Sequence, residues 1–389
     1  MITGSSIVID DTLYLVYTGF ALHEDGKYYQ TINIAYSKDG VNFDKYDLNP
    51  IIDTKDIPSC ASIYDFRDPC IFKKNGKLYI IVGSKSKDEK EAMLVLYEGE
   101  DIFHFHFLKK LVSSDKFGTM FECPNLVSFE DNNYIIMSPQ NIKEKDGNFA
   151  NVSSCVYFKL KGDFIHEEQT IEKVKEIDHG LEYYAPTVYN DEKILVNWVQ
   201  MWGRRYYLDE IHNDFINTFS LFKKVKEKDG VLSFTPLSLE NYVTEKKIEK
   251  IKLNGESQTY HNCHVHYQVK FEKDEELCLT LEFFDSKRDK VNFVIDCKNN
   301  IYQLDRSNVS IPLNGVEDSY AKDGKRYLKK EIPSNCVIDI YIDNAYVEIY
   351  FDNFEEGFSF INFSKEDGFS LKSNKLVEIS LLSENIEVK

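Results

Sequence analysis

The sequence holds no long run of apolar residues at helical spacing with capping residues at its ends. That absence excludes an α-rich fold. No apolar stretch is long enough to span a bilayer. Positive charge is in deficit: 47 Lys and Arg face 65 Asp and Glu, a net charge of −18 at pH 7. Such a surface repels phosphate backbones and anionic lipid, which excludes nucleic acid and membrane surfaces as partners. It suits a neutral ligand such as a sugar. Close-spaced cysteine pairs are also missing. Cys60, Cys70, Cys123, Cys155, Cys263, Cys278, Cys297 and Cys336 read as free thiols of a reducing compartment. The first residues carry no charged, apolar, small-residue signal pattern. A cytoplasmic location is therefore expected. Tryptophan is scarce, at Trp198 and Trp202 only.

Other aromatics are plentiful. With 25 Tyr and 27 Phe, aromatic residues make up 14% of the chain, which favours strands. At 389 residues, two domains are expected. Four stretches share one plan: a small polar motif, a short strand, a turn of Asp, Asn or Gly, and a second apolar strand. They start at Thr3 (TGSSIVIDDTLYLVYTG), Phe66 (FRDPCIFKKNGKLYIIVGS), Phe121 (FECPNLVSFEDNNYIIMSP) and Tyr184 (YAPTVYNDEKILVNWVQ). Asn75-Gly76 is a hairpin signal, since both residues accept positive φ. The recurrence of roughly 55–65 residues suits a four-stranded blade, and so a β-propeller. Polar motifs at the start of each innermost strand would then meet near one axis. An unrelated series of hairpins in a sandwich is the competing reading.

After about Tyr242 the texture changes. A Lys-rich linker (TEKKIEKIK) leads into alternating strands such as YHNCHVHYQVKF and ELCLTLEFF, which suggest a β-sandwich. Two domains are predicted, residues 1–242 and 243–389.

Asp68 lies in Phe-Arg-Asp-Pro and Glu122 in Phe-Glu-Cys-Pro, each at the mouth of its repeat. Two carboxyl groups from adjacent blades could flank one ring. Glycosidic cleavage uses such a pair, one protonating the leaving oxygen and one stabilising or attacking the oxocarbenium-like centre. Arg67 could bind sugar hydroxyls and hold a neighbouring carboxylate ionised.

These motifs, in this order, resemble glycoside hydrolase family 32, the invertases, sucrose-6-phosphate hydrolases and fructanases. Further matching segments are TGSSIVIDDTLYLVYTG, INIAYSKDGVNFDKYDLNPII, DHGLEYYAPTVY and IDIYIDNAYVEIYFDN. The resemblance implies a five-bladed β-propeller followed by a C-terminal β-sandwich. It implies retaining hydrolysis of β-D-fructofuranosides (sucrose, sucrose 6-phosphate or a fructan) without metal or cofactor. It makes Glu122 the acid/base and Asp68 the transition-state stabiliser. Arg67, Thr3, Cys123 and Asp178 are then expected to contact substrate. Cys123 is then also expected to tune the pKa of the neighbouring acid.

The family's nucleophile is the Asp of a Trp-Met-Asn-Asp-Pro-Asn-Gly motif, and no such motif occurs in this sequence. Met1 stands where the family's second blade begins, so the first blade is expected to be largely missing and activity impaired. The same reading leaves secretion open, because a true N-terminus would lie upstream. A complete four-bladed propeller is the structural alternative. A non-catalytic fructoside-binding protein and a broken gene are the functional ones. Arg204 and Arg205 are loosely suggestive of a phosphate site, and the oligomeric state is unreadable. His261, Cys263, His264 and His266 resemble metal ligands, but alternation along a strand puts only two on each face, which does not close a tetrahedral site.

Overall fold

The computed structural model describes residues 2–22, 24–204, 206, 218–284, 290–309, 324–363 and 368–387. The chain is all-β, and among the described residues the strands form four four-stranded sheets in the manner of propeller blades and one eleven-stranded sheet. The first blade is β1 (Ile2–Ile9), β2 (Thr12–Leu22), β3 (Tyr28–Ser37) and β4 (Asp44–Lys45). The second is β5 (Ala61–Lys74), β6 (Lys77–Ser86), β7 (Ala92–Gly99) and β8 (Phe105–Ser114). The third is β9 (Met120–Ser128), β10 (Asn133–Gln140), β11 (Val156–Leu160) and β12 (Lys175–Glu176). The fourth is β13 (Tyr184–Tyr189), β14 (Ile194–Trp198), β15 (Lys223–Lys228) and β16 (Val231–Pro236). Each of the four sequence repeats is the first hairpin of one blade.

The turns follow from residues that tolerate a left-handed backbone. Asp10-Asp11 (φ 47° and 57°), Asn75-Gly76 (51° and 81°) and Asp229-Gly230 (52° and 83°) close three of the hairpins. Two positive φ values in a two-residue loop match the right-handed twist of the flanking strands. The middle strands β6 and β7 are buried along most of their length, so they read as continuous apolar runs rather than as alternation. Val16, Ile32 and Ile34 of the first blade share a core with Phe66, Ile80, Val82 and Val95 of the second.

The remaining strands are β17 (Val243–Glu256), β18 (Tyr260–His261), β19 (His264–Glu272), β20 (Cys278–Phe283), β21 (Lys290–Asp296), β22 (Ile301–Asn308), β23 (Lys325–Lys329), β24 (Asn335–Asp343), β25 (Tyr346–Phe351), β26 (Glu356–Ile361) and β27 (Gly368–Ile386). They form one hydrogen-bonded sheet rather than two separate ones. The cause is β27, 19 residues long, whose first half pairs β20 and whose second half pairs β19. One core fills this sheet, with Val265, Leu281, Phe293, Ile340, Val347 and Phe358 among its buried side chains.

Two compact units emerge, and they do not follow a single cut in the chain. One comprises residues 1–143, 153–175 and 185–193; the other comprises 144–152, 176–184 and 194–389. Among the described residues no helix is long and apolar enough to cross a membrane.

Candidate active site

The innermost strands of the second, third and fourth blades share a backbone irregularity. Asp68 (φ 61°), Cys123 (φ 50°) and Ala185 (φ 51°) are left-handed, and each stands immediately before a proline. The antiparallel register slips at the first two, between Arg67 and Cys70 and again opposite Ile136–Ser138. A left-handed non-glycine residue costs on the order of 1–3 kcal/mol, and such strain collects at functional sites. The bulge redirects the side chains beside it.

The strands are stitched by the residue that follows each motif. Ser5 Oγ donates to the Pro69 carbonyl at 2.7 Å and accepts from Ile71 N–H at 2.7 Å. Asn125 does the same one blade pair further on, donating to Pro186 O at 2.8 Å and accepting from Val188 N–H at 3.0 Å. The motifs are thus held at equivalent heights in successive blades.

Arg67 is the centre of the site. Its Nε and Nη2 both donate to Oε1 of Glu122, at 3.1 and 2.9 Å. Its Nη1 donates to Asp65 Oδ1 at 3.0 Å and, at 3.4 Å, to Gln30 Oε1. Burial, the largest single influence, would lower the guanidinium's pKa, but the charge and hydrogen bonds of Glu122 together with Asp68 and Asp65 outweigh it and the pKa is raised. Asp68 is buried, and its Oδ2 accepts from Cys123 N–H at 2.9 Å and faces Cys123 Sγ at 3.6 Å. Burial, then the charge of Glu122, pushes the Asp68 carboxyl up to about 6, against the pull of the Cys123 amide and Arg67. Burial and the charge of Asp68 raise the Cys123 thiol well above its ordinary value, so it stays protonated. The site can therefore offer one carboxyl that binds a proton readily beside one that is paired with a cation.

Of the residues expected from sequence, Arg67, Asp68, Glu122 and Cys123 come together. Thr3 joins through its backbone: its carbonyl accepts from Thr18 Oγ1 at 3.3 Å, and Thr18 Oγ1 accepts from Asp68 N–H at 2.9 Å. Asp178 lies in the other unit. There its carboxylate accepts from Gly180 N–H (2.8 Å), Ser359 N–H (3.0 Å) and Ser359 Oγ (2.7 Å), and burial pushes it up to about 6. Arg204 is buried against Glu182 (3.0 Å) and Asn151 (3.0 Å), while Arg205 lies outside the described residues. Two of the four metal-like residues are engaged otherwise. His266 bridges Asp339 and Glu384, each at 2.9 Å, and stacks on Tyr341, while His264 meets Asp343 at 3.0 Å.

Sequence reasoning missed Thr18, Gln30, Asp65 and Lys85. Gln30 Oε1 accepts from Phe66 N–H at 2.7 Å, and Lys85 Nζ meets Asp65 Oδ2 at 3.2 Å. The available signal was a polar residue in the interior of a strand-like segment, Thr18 in TLYLVYTGFAL or Gln30 in YYQTINIAYS.

The model of the glycosyl hydrolases family 32 N-terminal domain matches residues 1–236. The chain is 29% identical over 205 residues to a sucrose-6-phosphate hydrolase of Bacillus subtilis, covering 51% of this chain and 41% of that protein. It is 26% identical over 385 residues to one from Streptococcus mutans, covering 96% of this chain and 76% of that one. The chain thus spans less than half of one curated relative and about three quarters of the other. Among solved structures, a sucrose-6-phosphate hydrolase from Lactobacillus gasseri superposes with a TM-score of 0.86 at 20% identity, covering 99% of this chain and 78% of that one. A Bombyx mori β-fructofuranosidase gives 0.83 at 23% identity, covering 98% and 78%.

Proposed function

The chain belongs to glycosyl hydrolase family 32, and from that premise we propose that its Arg67–Asp68–Glu122 site acts on β-D-fructofuranosides: sucrose, sucrose 6-phosphate or a fructan. In this reading Glu122 gives a proton to the leaving glycosidic oxygen. Asp68 accepts hydrogen bonds from fructosyl hydroxyls and stabilises the oxocarbenium-like centre. Arg67 and Cys123 flank the two carboxyl groups, and Thr3 supports Asp68 through Thr18. Asp178, tied to Ser359, positions backbone. The observation that carries this reading is the tie between two blades, Arg67 of β5 laid on Glu122 of β9 at 2.9 Å.

Retention requires a nucleophile that forms a covalent fructosyl intermediate. The 389 residues contain no Trp-Met-Asn-Asp-Pro-Asn-Gly segment. The 389-residue polypeptide assayed alone is therefore expected to bind the sugar and turn it over slowly. That same absence favours fructoside binding without catalysis as the second reading.

For organisation, we read residues 1–242 as part of a five-bladed propeller and 243–389 as a sandwich folded across β27. In support, the family match ends at 236 and β17 begins at Val243. Eight thiols support an intracellular location.

Calorimetry with fructose, sucrose and sucrose 6-phosphate, paired with an assay for released fructose, tests the reading. Heat without release supports binding alone. Heat with release at an ordinary enzymatic rate supports hydrolysis by another nucleophile. No heat with any of the three sugars overturns both.

A further inference from the structure

The second strands of the first three blades have one position in common. In LYLVYTG, LYIIVGS and NYIIMSP it is filled by Thr18, Gly83 and Ser138. The ladders give the same match. Thr18 pairs with Ile2, Gly83 with Arg67 and Ser138 with Glu122, each time at the residue just before the slip in register of the innermost strand. At two blade boundaries this position serves the left-handed residue of the next blade. Thr18 Oγ1 accepts from Asp68 N–H at 2.9 Å, and Ser138 Oγ accepts from Ala185 N–H at 3.2 Å. Thr18 and Ser138 are both fully buried. A bulge takes such an amide out of its own ladder, and a buried N–H needs an acceptor. The hydroxyl supplies it.

At the boundary between the second and third blades the hydroxyl is missing. Gly83 has no side chain and no room for one, since a Cβ there would lie 2.1 Å from the Phe121 carbonyl oxygen. The amide of the left-handed Cys123 goes instead to Asp68 Oδ2, at 2.9 Å. A carboxylate thus does here what a hydroxyl does at the boundaries on either side. Asp68 is held at both ends, its own N–H by Thr18 and its carboxylate by Cys123. Thr18 is held in turn, because its hydroxyl donates to the Thr3 carbonyl at 3.3 Å.

We infer that Thr18 is a positioning residue for Asp68. Its hydroxyl fixes the left-handed backbone from the first blade, and the carboxylate then reaches the Cys123 amide that Gly83 leaves uncapped. This deepens the fructoside reading of Asp68 and rests on it for its meaning.

The test uses the full chain labelled with 15N-cysteine. The Cys123 amide is the signal lost in Cys123→Ser. A bond to a carboxylate is stronger than one to a neutral acceptor and holds that amide downfield. Thr18→Val removes the hydroxyl and keeps the shape. It is expected to move the Cys123 amide upfield, although residue 18 is bonded to Asp68 and not to Cys123. Thr18→Ser keeps the hydroxyl and is expected to leave the amide in place. Fructose affinity is expected to fall about tenfold in Thr18→Val, the worth of one hydrogen bond, and to hold in Thr18→Ser. A merely structural role would lower the melting temperature and leave the Cys123 amide of the folded protein unmoved, and that result overturns the inference. An equal upfield move in Thr18→Ser overturns it too, because it would trace the effect to the methyl group. So does an amide that moves while fructose affinity stays full. Should Thr18→Val fail to fold, Thr18→Ala is measured in its place with the same expectation. The amide signal needs no sugar. If the unsubstituted chain binds no fructose, the sugar reading fails and the amide still decides whether Thr18 sets Asp68. If it binds fructose and the amide does not move in Thr18→Val, the inference fails alone.

Discussion

Arg67 places two of its nitrogens on a single oxygen of Glu122, 55 residues away in sequence. The third points the opposite way, to Asp65. One planar cation therefore joins the second blade to the third and lies among three carboxyl groups, those of Asp65, Asp68 and Glu122.

Replacing that cation should be costly. Arg67→Leu leaves the three carboxyl groups facing one another without it. Losing one partner of a largely buried ion pair destabilises by about 3 kcal/mol. The loss should be largest at pH 7 and smaller at pH 5, where Asp68, pushed up to about 6, takes up a proton and its repulsion of the neighbouring carboxylates falls. Urea unfolding at the two pH values measures it, and an equal loss at both would contradict the charge argument.

Asp68→Asn should have the opposite effect on stability. Burial raises this carboxyl from 3.8 to about 6, so the folded state binds its proton more tightly than the unfolded chain does. The group's contribution is favourable below the unfolded value. It is lost as pH rises through about 6, and above that it is a standing penalty. Asparagine carries no such penalty and can still accept from the Cys123 amide. A gain on the order of 1–3 kcal/mol is expected at pH 7, with none at pH 4. Fructose affinity should fall in the same variant, the exchange expected where a strained site serves function.

The second unit contains a cation of different character. His179 is buried, with Nε2 3.0 Å from Glu356 and Nδ1 3.4 Å from Glu176. Burial would pull the imidazole down, but the two carboxylates outweigh it and push it up to about 10. Its folded value thus exceeds the unfolded one. The stability it contributes is complete below about pH 6.5 and is lost as pH rises through about 10. His179→Gln should be less stable by a few kcal/mol at pH 6, and the gap should narrow toward pH 10. Denaturant midpoints of both proteins across that range give the difference directly.

The legible part of the fold was its local part. Asn75-Gly76 and the alternation in YHNCHVHYQVKF announce a turn and a strand from neighbouring residues alone, and both are present. The carboxyl pair was legible because FRDP and FECP occupy the same place in a repeat. The residues that condition the pair were not. Asp65 and Lys85 look like any other charges in a sequence with 112 of them; Asp65 lies where the register slips between Ala61 and Phe66, a break that its neighbours in sequence do not announce. Nor could the sequence show that β27 would join strands expected to form separate sheets. That depends on which edges a 19-residue strand leaves open, not on its own pattern.

Gly83 is the position where that geometry depends on an absent side chain. It pairs with Arg67 across β5 and β6, and a Cβ built on it would lie 2.1 Å from the carbonyl oxygen of Phe121, the residue before Glu122. Backbone cannot rotate away as a flexible side chain can, so Gly83→Ala has to part β6 from β9. Overpacking of this kind costs about 1–3 kcal/mol. The separation would fall on the pair that bridges those blades, because Arg67 is the strand partner of Gly83 and Glu122 follows Phe121. The expected outcome is a lower melting temperature together with weaker fructose binding. Ala at Gly76, where nothing lies within 4 Å, gives the control. Gly76 has φ 81°, so its substitution strains the turn without touching the site. If the two variants lose stability and Gly83→Ala keeps full fructose affinity, the close approach of β6 to β9 is not what sets Arg67 against Glu122.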